Sequence, residues 1–293
     1  MIKPTIKIFR LILYLPFHIL NFFAKIYSKI LSIIDPNGSE RYWCEISQNE
    51  IDTKTGSDLR LKDYPSYTLK ENKLANEIIF YTPNKISSYR AHTFLSKEKD
   101  TIEWIEKYGN DNQIFFDIGS NMGVYTILYA KLFKSKVFSF EPSFRNLDLL
   151  VRNIQINKLN DRITVISNPV YNNSSVNTFS QAINRTAGMA LGTFGKKTLS
   201  GFNFNTLGLS IDSLINQKLI LAPNIIKIDV DGNELNIIKG ALNTIKNNSC
   251  KTLLIETRES TSKKIEKLIS ECGFQKDDSL KFKSHENEIW TKF

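Results

Sequence analysis

Gln113-Ile114-Phe115-Phe116-Asp117-Ile118-Gly119-Ser120-Asn121-Met122-Gly123 decides the fold. An apolar run closed by an acid reads as a buried strand. The glycine turn after it leads into Val124 to Phe133, an apolar run of helical length. Gly119 lets the chain turn tightly off the strand, and Gly123 lets the helix start lie close to sheet and ligand. Asn121 tolerates a left-handed backbone better than most residues.

The same grammar repeats downstream. Lys136 to Glu141 is a second strand closed by an acid, followed by a helix over 143–157 with Phe144, Leu147, Val151 and Ile154 on one face. Ile163 to Ile166, Ile225 to Asp229 and Leu253 to Glu256 are further strands, with helices over 234–246 and 263–271. Strands alternating with helices predict an α/β fold with a doubly wound, mostly parallel sheet. Residues 172–210 are rich in Asn, Ser, Thr and Gly and read as an irregular insertion over one sheet edge. Upstream, 36–112 is a mixed extension with a β-like run at Glu77 to Tyr81 and a short helix at Thr101 to Ile105.

Residues 1–35 are different again. Lys3, Lys7, Arg10, Tyr14, His18, Asn21, Lys25, Lys29 and Ser32 recur every three or four residues, marking a narrow polar stripe on an otherwise apolar helix. Residues 1–34 hold five cations and no acid, so +5 of the chain's +9 lies there. The three domains expected are therefore 1–35, an amphipathic helical segment; 36–112, an extension or cap; and 113–293, the catalytic unit.

With 41% hydrophobic and 24% charged residues, the composition excludes a disordered or polytopic membrane chain. Cys44, Cys250 and Cys272 lie too far apart for a zinc ribbon or disulfide scaffold, which points to reduced thiols in the cytoplasm. His18, His92 and His285 are isolated and form no nucleophilic triad or metal-ligand spacing.

Two motifs together suggest a nucleoside site. Glu141 ends the strand after the glycine turn, 24 residues past Asp117, where an acid can accept hydrogen bonds from both ribose hydroxyls. Each alone also fits an ordinary turn or a surface carboxylate before a helix. A dinucleotide site prefers G-x-G-x-x-G, but Asn121 replaces the middle glycine and Asp117 would repel a pyrophosphate. S-adenosylmethionine, with an ammonium and a sulfonium and no phosphate, suits an acidic turn better. The candidate cofactor residues are Asp117, Gly119, Asn121, Gly123 and Glu141. Asn168, in the strand-ending turn Asn168-Pro169-Val170-Tyr171, joins them as an adenine contact.

Asp229, Asp231, Glu234 and Glu256 form a third constellation at strand ends. A carboxylate raised toward neutral pKa by a second acid can remove a hydroxyl proton, and Asp229, Glu256 and Glu234 are the catalytic candidates. Asp231-x-x-Glu234 also fits a helix-capping pattern. Clustered carboxylates could instead hold a divalent cation, so metal dependence stays open and no metal ligands are assigned.

As an ordered set, several stretches resemble the FkbM-family methyltransferases: Phe116 to Thr126; Phe140-Glu141-Pro142 with Asn146, Leu150, Asn153 and Asn157; Ser210 to Leu214; Lys227 to Glu234 with Lys239-Gly240-Ala241; and Leu254 to Glu256. Tyr89-Arg90-Ala91 and Glu98 to Ile105 are similar to the segment that precedes them, so the resemblance spans about 89–293. Asp231 stands where the family usually has Glu. The resemblance implies a Rossmann-like class I fold using S-adenosyl-L-methionine. It implies methylation of a hydroxyl on a glycan, glycolipid or other small-molecule secondary metabolite. Rival readings are a nucleic-acid methyltransferase, disfavoured because the excess charge sits outside the fold, an NAD-dependent oxidoreductase, and a non-catalytic module tethering a partner to a membrane. No nucleic-acid partner is expected.

Residues 1–34 are expected to lie on an anionic membrane surface, placing a cytoplasmic protein peripherally on the inner face. Leu11 to Ala24, the longest stretch without Lys or Arg, is 14 residues, or about 21 Å of helix against a hydrocarbon core of about 30 Å. Pro16 would kink it. The competing arrangement packs this helix on the catalytic unit or a sister subunit. In liposome flotation, the full chain should float with anionic vesicles, less so in high salt, and a form beginning at Asp35 should not. A full chain that ignores anionic vesicles contradicts the expectation.

Overall fold

Strand β3 (Ile114–Ile118) is the centre of the sheet, and its own residues make it so. Phe115, Phe116, Asp117 and Ile118 are all buried, as a strand covered on both faces requires. The computed structural model describes residues 66–69, 77–182, 186–190, 192–198, 201–280 and 287–292. The segment 1–35 and most of the Leu280 to Lys283 run fall outside them.

Around β3 the elements follow in chain order: β1 (Ser66–Leu69), β2 (Ile78–Tyr81), α1 (Lys85–Lys97), α2 (Lys99–Tyr108), then β3, α3 (Val124–Leu132), β4 (Lys136–Phe140), α4 (Phe144–Ile156) and β5 (Ile163–Ile166). They continue as β6 (Ser175–Ala182), β7 (Thr193–Phe194), β8 (Gly201–Gly208), α5 (Ile211–Asn216), β9 (Ile225–Ile228), α6 (Glu234–Lys239), α7 (Leu242–Lys246), β10 (Thr252–Glu256), α8 (Glu259–Glu271), β11 (Gln275–Lys276) and β12 (Asn287–Thr291).

Among the described residues the main sheet has the order β11-β12-β10-β9-β3-β4-β5. β5, β4, β3, β9 and β10 pair in parallel, and β12 returns antiparallel beside β10. The chain winds outward from β3 through β4 to β5, then crosses back to β9 and winds out the other way. Right-handed crossovers then place α3 and α4 on one face and α6 and α7 on the other. This is the doubly wound, Rossmann-like class I arrangement. The crevice lies where the winding reverses, between β3 and β9.

Gly119 fixes that reversal. Its φ is +88°, and a Cβ there would lie 1.8 Å from the Asp229 carbonyl oxygen. Only a glycine lets the two strand ends converge so closely. On the outer side, α4 attaches the upstream hairpin through asparagines. Asn153 Oδ1 accepts from the Tyr81 amide at 2.7 Å, and Asn157 bonds both the amide and the carbonyl of Ile79.

Three local expectations change. Residues 172–210 are not irregular: β6, β7 and β8 form an antiparallel sheet with β6 in the middle. Its polar composition hid the strands: few apolar side chains are buried in them, Phe179 and Phe194, while Val176, Phe202, Phe204 and Leu207 stay exposed. The helix expected over 234–246 breaks at Gly240-Ala241 into α6 and α7. The Tyr171 carbonyl passes 2.1 Å from where a Gly240 Cβ would stand, so the backbone of 171–172 crosses at the break. The last helix begins at Glu259, one turn before the expected Lys263.

Gly119→Ala should cost about 1–3 kcal/mol in backbone strain alone, with further loss from the clash. Equilibrium urea unfolding reads this directly, and a variant as stable as the parent would refute the close approach.

Candidate active site

The strand ends of β3, β4, β9 and β10 converge on one cavity of about 220 Å³. Gly119 and Asn121 enter it from the turn after β3, Glu141 from β4, Asp229 and Asp231 from β9, and Glu256 from β10. Asn121 holds φ +51°, so its amide points at the Glu141 carboxylate, which it meets at 2.8 Å. The Ser143 amide meets the other Glu141 oxygen at 2.8 Å. Both oxygens are thus oriented, and each keeps lone-pair capacity for a ligand. Burial pushes the Glu141 carboxyl up to about 7 against these two bonds.

Asp117, Gly123 and Glu234 stand behind the cavity rather than on its wall. Asp117 is fully buried and ties β3 to α3 and β4: its Oδ2 accepts from Thr126 Oγ1 at 2.5 Å, and Thr126 meets Ser139 at 3.0 Å. Gly123 caps the N-terminus of α3 at φ +84°. Glu234, 1% exposed, accepts from the amides of Gly232 at 2.7 Å and Val230 at 3.3 Å. It fastens the loop that carries Asp229 and Asp231. Asp231 does not cap α6; the N-cap is Asn233, and Asp231 takes a left-handed φ of +60° beside the cavity. Asn168 sits on a smaller adjoining cavity that shares Pro142, Phe179 and Val230 with the first. Its Nδ2 donates to the Leu207 carbonyl at 2.9 Å.

The residue that sequence reasoning passed over is Lys227. It is 2% exposed in the middle of β9, with its Nζ 3.0 Å from Asp229 Oδ2 and 3.9 Å from Asp117 Oδ1. The ammonium also lies 5.3 Å from the centre of the Tyr125 ring. Burial opposes its charge, but the Asp229 and Asp117 carboxylates outweigh this and hold its pKa above the ordinary lysine value. A lone lysine among the isoleucines of Ile225-Ile226-Lys227-Ile228 was the available signal: charge is seldom buried unless paired.

Lys227 splits the acidic pair. Burial alone would raise the Asp229 carboxyl, yet the Lys227 ammonium, the Arg90 guanidinium and a hydrogen bond from Glu256 hold it below the usual range. Glu256 is pushed up to about 8 by burial and by repulsion from Asp229, Asp231 and Glu234. Near neutral pH the pair therefore keeps one proton, on Glu256, facing an ionised Asp229. Burial first, and Asp229 next, thus make Glu256 the weaker acid of the two. Among the described residues no group of three His, Cys, Asp or Glu side chains is arranged to hold a metal.

Residues 186–190 close the far wall. The Gly188 amide donates to Asn146 Oδ1 at 2.8 Å, and Asn146 Nδ2 donates to the Met189 carbonyl at 3.1 Å. Asn146 falls within the motif that follows Glu141, and its partner segment lies in the Asn-, Ser-, Thr- and Gly-rich stretch 172–210.

The Methyltransferase FkbM domain matches residues 117–276, more than half of the chain. The chain belongs to this family. Among characterised relatives, the hexuronic acid methyltransferase AglP of Haloferax volcanii is 27% identical over 179 residues, 61% of this chain and 70% of that protein. A solved FkbM methyltransferase from Methylobacillus flagellatus KT is 20% identical, with a TM-score of 0.43; the match covers 62% of this chain and 44% of that one. A precorrin-6Y C5,15-methyltransferase from Geobacter metallireducens GS-15 is 12% identical, with a TM-score of 0.41, over 67% of this chain and 87% of that one. For the family's common domain, the cavity above β3 and β9 is the place where this chain's strand-end acids meet.

Replacing Lys227 with Met should destabilise the protein by about 3–5 kcal/mol at pH 7, because two buried carboxylates lose their counter-charge. The loss should shrink at pH 5, where those carboxylates can take up protons. Urea midpoints at both pH values test this, and a loss below about 1 kcal/mol at pH 7 would contradict the buried pairing.

Proposed function

We propose that the chain is an S-adenosylmethionine-dependent O-methyltransferase acting on a hydroxyl of a glycan or glycan-like acceptor. The observation that carries this reading is the division of labour around one cavity: an oriented carboxylate, Glu141, at one end and a split acid pair, Asp229 with Glu256, at the other. The named activity of the Haloferax relative on a hexuronic acid supports the acceptor class.

In this reading the ribose hydroxyls donate to Glu141, which binds them best when ionised. The adenine runs past Pro142 into the adjoining cavity, where Asn168 Oδ1 accepts from its amino group while Nδ2 stays on Leu207. Gly119 and Asn121 leave room for the cofactor against the turn. The cofactor supplies an electrophilic methyl on a positive sulfur, and the acidic end of the cavity favours its positive charges.

The chain's own residues position and deprotonate the acceptor. The acceptor oxygen attacks the methyl carbon, the carbon–sulfur bond breaks, and the electron pair stays on sulfur. Glu256, in its ionised form, takes the hydroxyl proton. Asp229 stays ionised beside Lys227 and keeps the Glu256 carboxyl basic enough for that task. Glu234 and Gly232 hold the loop in register.

Two results are expected in a methyl-label transfer assay. The rate should rise with pH and level off above about 8, as Glu256 loses its proton. Glu256→Gln should lose roughly 10²–10⁴-fold in rate with cofactor affinity retained. Normal turnover in that variant would remove Glu256 from the chemistry. Loss of activity in EDTA that Mg²⁺ restores would turn the carboxylates from base to metal ligands.

A further inference from the structure

A second cavity, of about 310 Å³, opens beside the first and has no role in the reading above. One face of α1 lines it: Ile86, Arg90 and Phe94 follow one another at four-residue steps, with Tyr89, Thr93 and Lys97 alongside. Seven of its lining residues also line the first cavity, Arg90, Lys97, Glu98, Tyr125 and Met189 among them. A molecule here would therefore reach the cofactor cavity through the gap between α1 and the 186–190 segment.

The two cavities differ in charge. The first is dominated by Glu141, Asp229, Asp231 and Glu256. Arg90, Lys97 and Glu98 line both cavities, and the second adds no further acid to them. Glu98 is already engaged, accepting from Tyr125 Oη at 2.6 Å. Arg90 donates from Nε to the Gly188 carbonyl at 2.5 Å. That bond orients the guanidinium; no carboxylate among the described residues forms an ion pair with its terminal nitrogens, although its charge helps to lower the Asp229 pKa. A preset arginine fork of this kind matches an oxyanion. Lys97 stands beside it, more than half exposed, with Glu98 only at 3.9 Å. Tyr89 is 57% exposed at the mouth, a flat ring open to solvent. A ring with one apolar face and one polar edge suits a sugar, whose C–H face can lie on it while its hydroxyls stay wet.

We propose that this second cavity is the acceptor subsite and that it takes an anionic saccharide, with Arg90 binding a carboxylate or phosphate beside the reacting hydroxyl, Lys97 adding charge at the mouth, and Tyr89 carrying the sugar face. The inference rests on the methyltransferase reading. The cations also answer a physical need: an acidic acceptor approaching Asp229 and Asp231 would otherwise be repelled.

The test measures methyl-label transfer into three sets of saccharides: uronic acid oligomers, sugar phosphates, and neutral glucose oligomers of matching length. Label should enter an anionic set and not the neutral one, with KM rising as salt is added. Label in the uronic acid set assigns a carboxylate, and label in the sugar phosphates assigns a phosphate. Arg90→Gln should raise KM for the anionic acceptor roughly ten- to a hundredfold. Its affinity for S-adenosylmethionine, measured by calorimetry, should stay unchanged. Equal label in neutral oligomers, label in none of the sets while the cofactor binds, or an unchanged KM in Arg90→Gln would overturn the subsite. Loss of cofactor affinity in Arg90→Gln would do the same, by moving Arg90 to the carboxylate of the cofactor. Failure of the parent protein to bind S-adenosylmethionine would instead defeat the underlying reading.

Discussion

A buried ammonium between two carboxylates organises this molecule. Lys227 lies in the middle of β9, where the sheet is covered on both faces, so its charge is tolerable only with Asp229 and Asp117 beside it. Asp117 belongs to β3 and Asp229 to the end of β9, the two strands between which the winding reverses. The ion cluster thus joins the two halves of the doubly wound sheet at the point where its crevice opens. Gly119 does the same by shape, letting the backbones converge where a side chain would collide with the Asp229 carbonyl.

The same charge divides the acids of the cavity. An ammonium against Asp229 keeps that acid ionised, while burial, and then repulsion from Asp229, Asp231 and Glu234, push Glu256 up to about 8. Two carboxyl groups on adjacent strands therefore differ in proton affinity: Lys227 bonds Asp229 directly, while burial and neighbouring acids dominate at Glu256. At the other end Glu141 is raised by burial but held in place by two amides.

Much of this was legible in the sequence, because strands covered on both faces must be apolar runs and their acids must fall at the ends. Gln113 to Asp117, Lys136 to Glu141 and Ile225 to Asp229 announce themselves this way, and Gly119 and Glu141 take the places expected of them on one cavity wall. The rest depends on contacts that no local pattern carries. Whether Asp229 or Glu256 is the stronger base depends on the distance to Lys227. Glu234 has the same residue type as its neighbours at the site, yet it turns back to its own loop amides. Residues 172–210 form strands whose pairing partners are set by tertiary packing, so their polar composition reads as a loop. Arg90 gains its fixed plane from Gly188, a residue nearly a hundred positions away.

Isothermal titration of the full chain with S-adenosylmethionine and, separately, with NAD tests the central claim most directly. The account predicts one S-adenosylmethionine bound per chain, with affinity that strengthens as pH rises through about 7 and Glu141 ionises, and no heat from NAD. Binding of NAD, or no binding of S-adenosylmethionine by a folded chain, would contradict it.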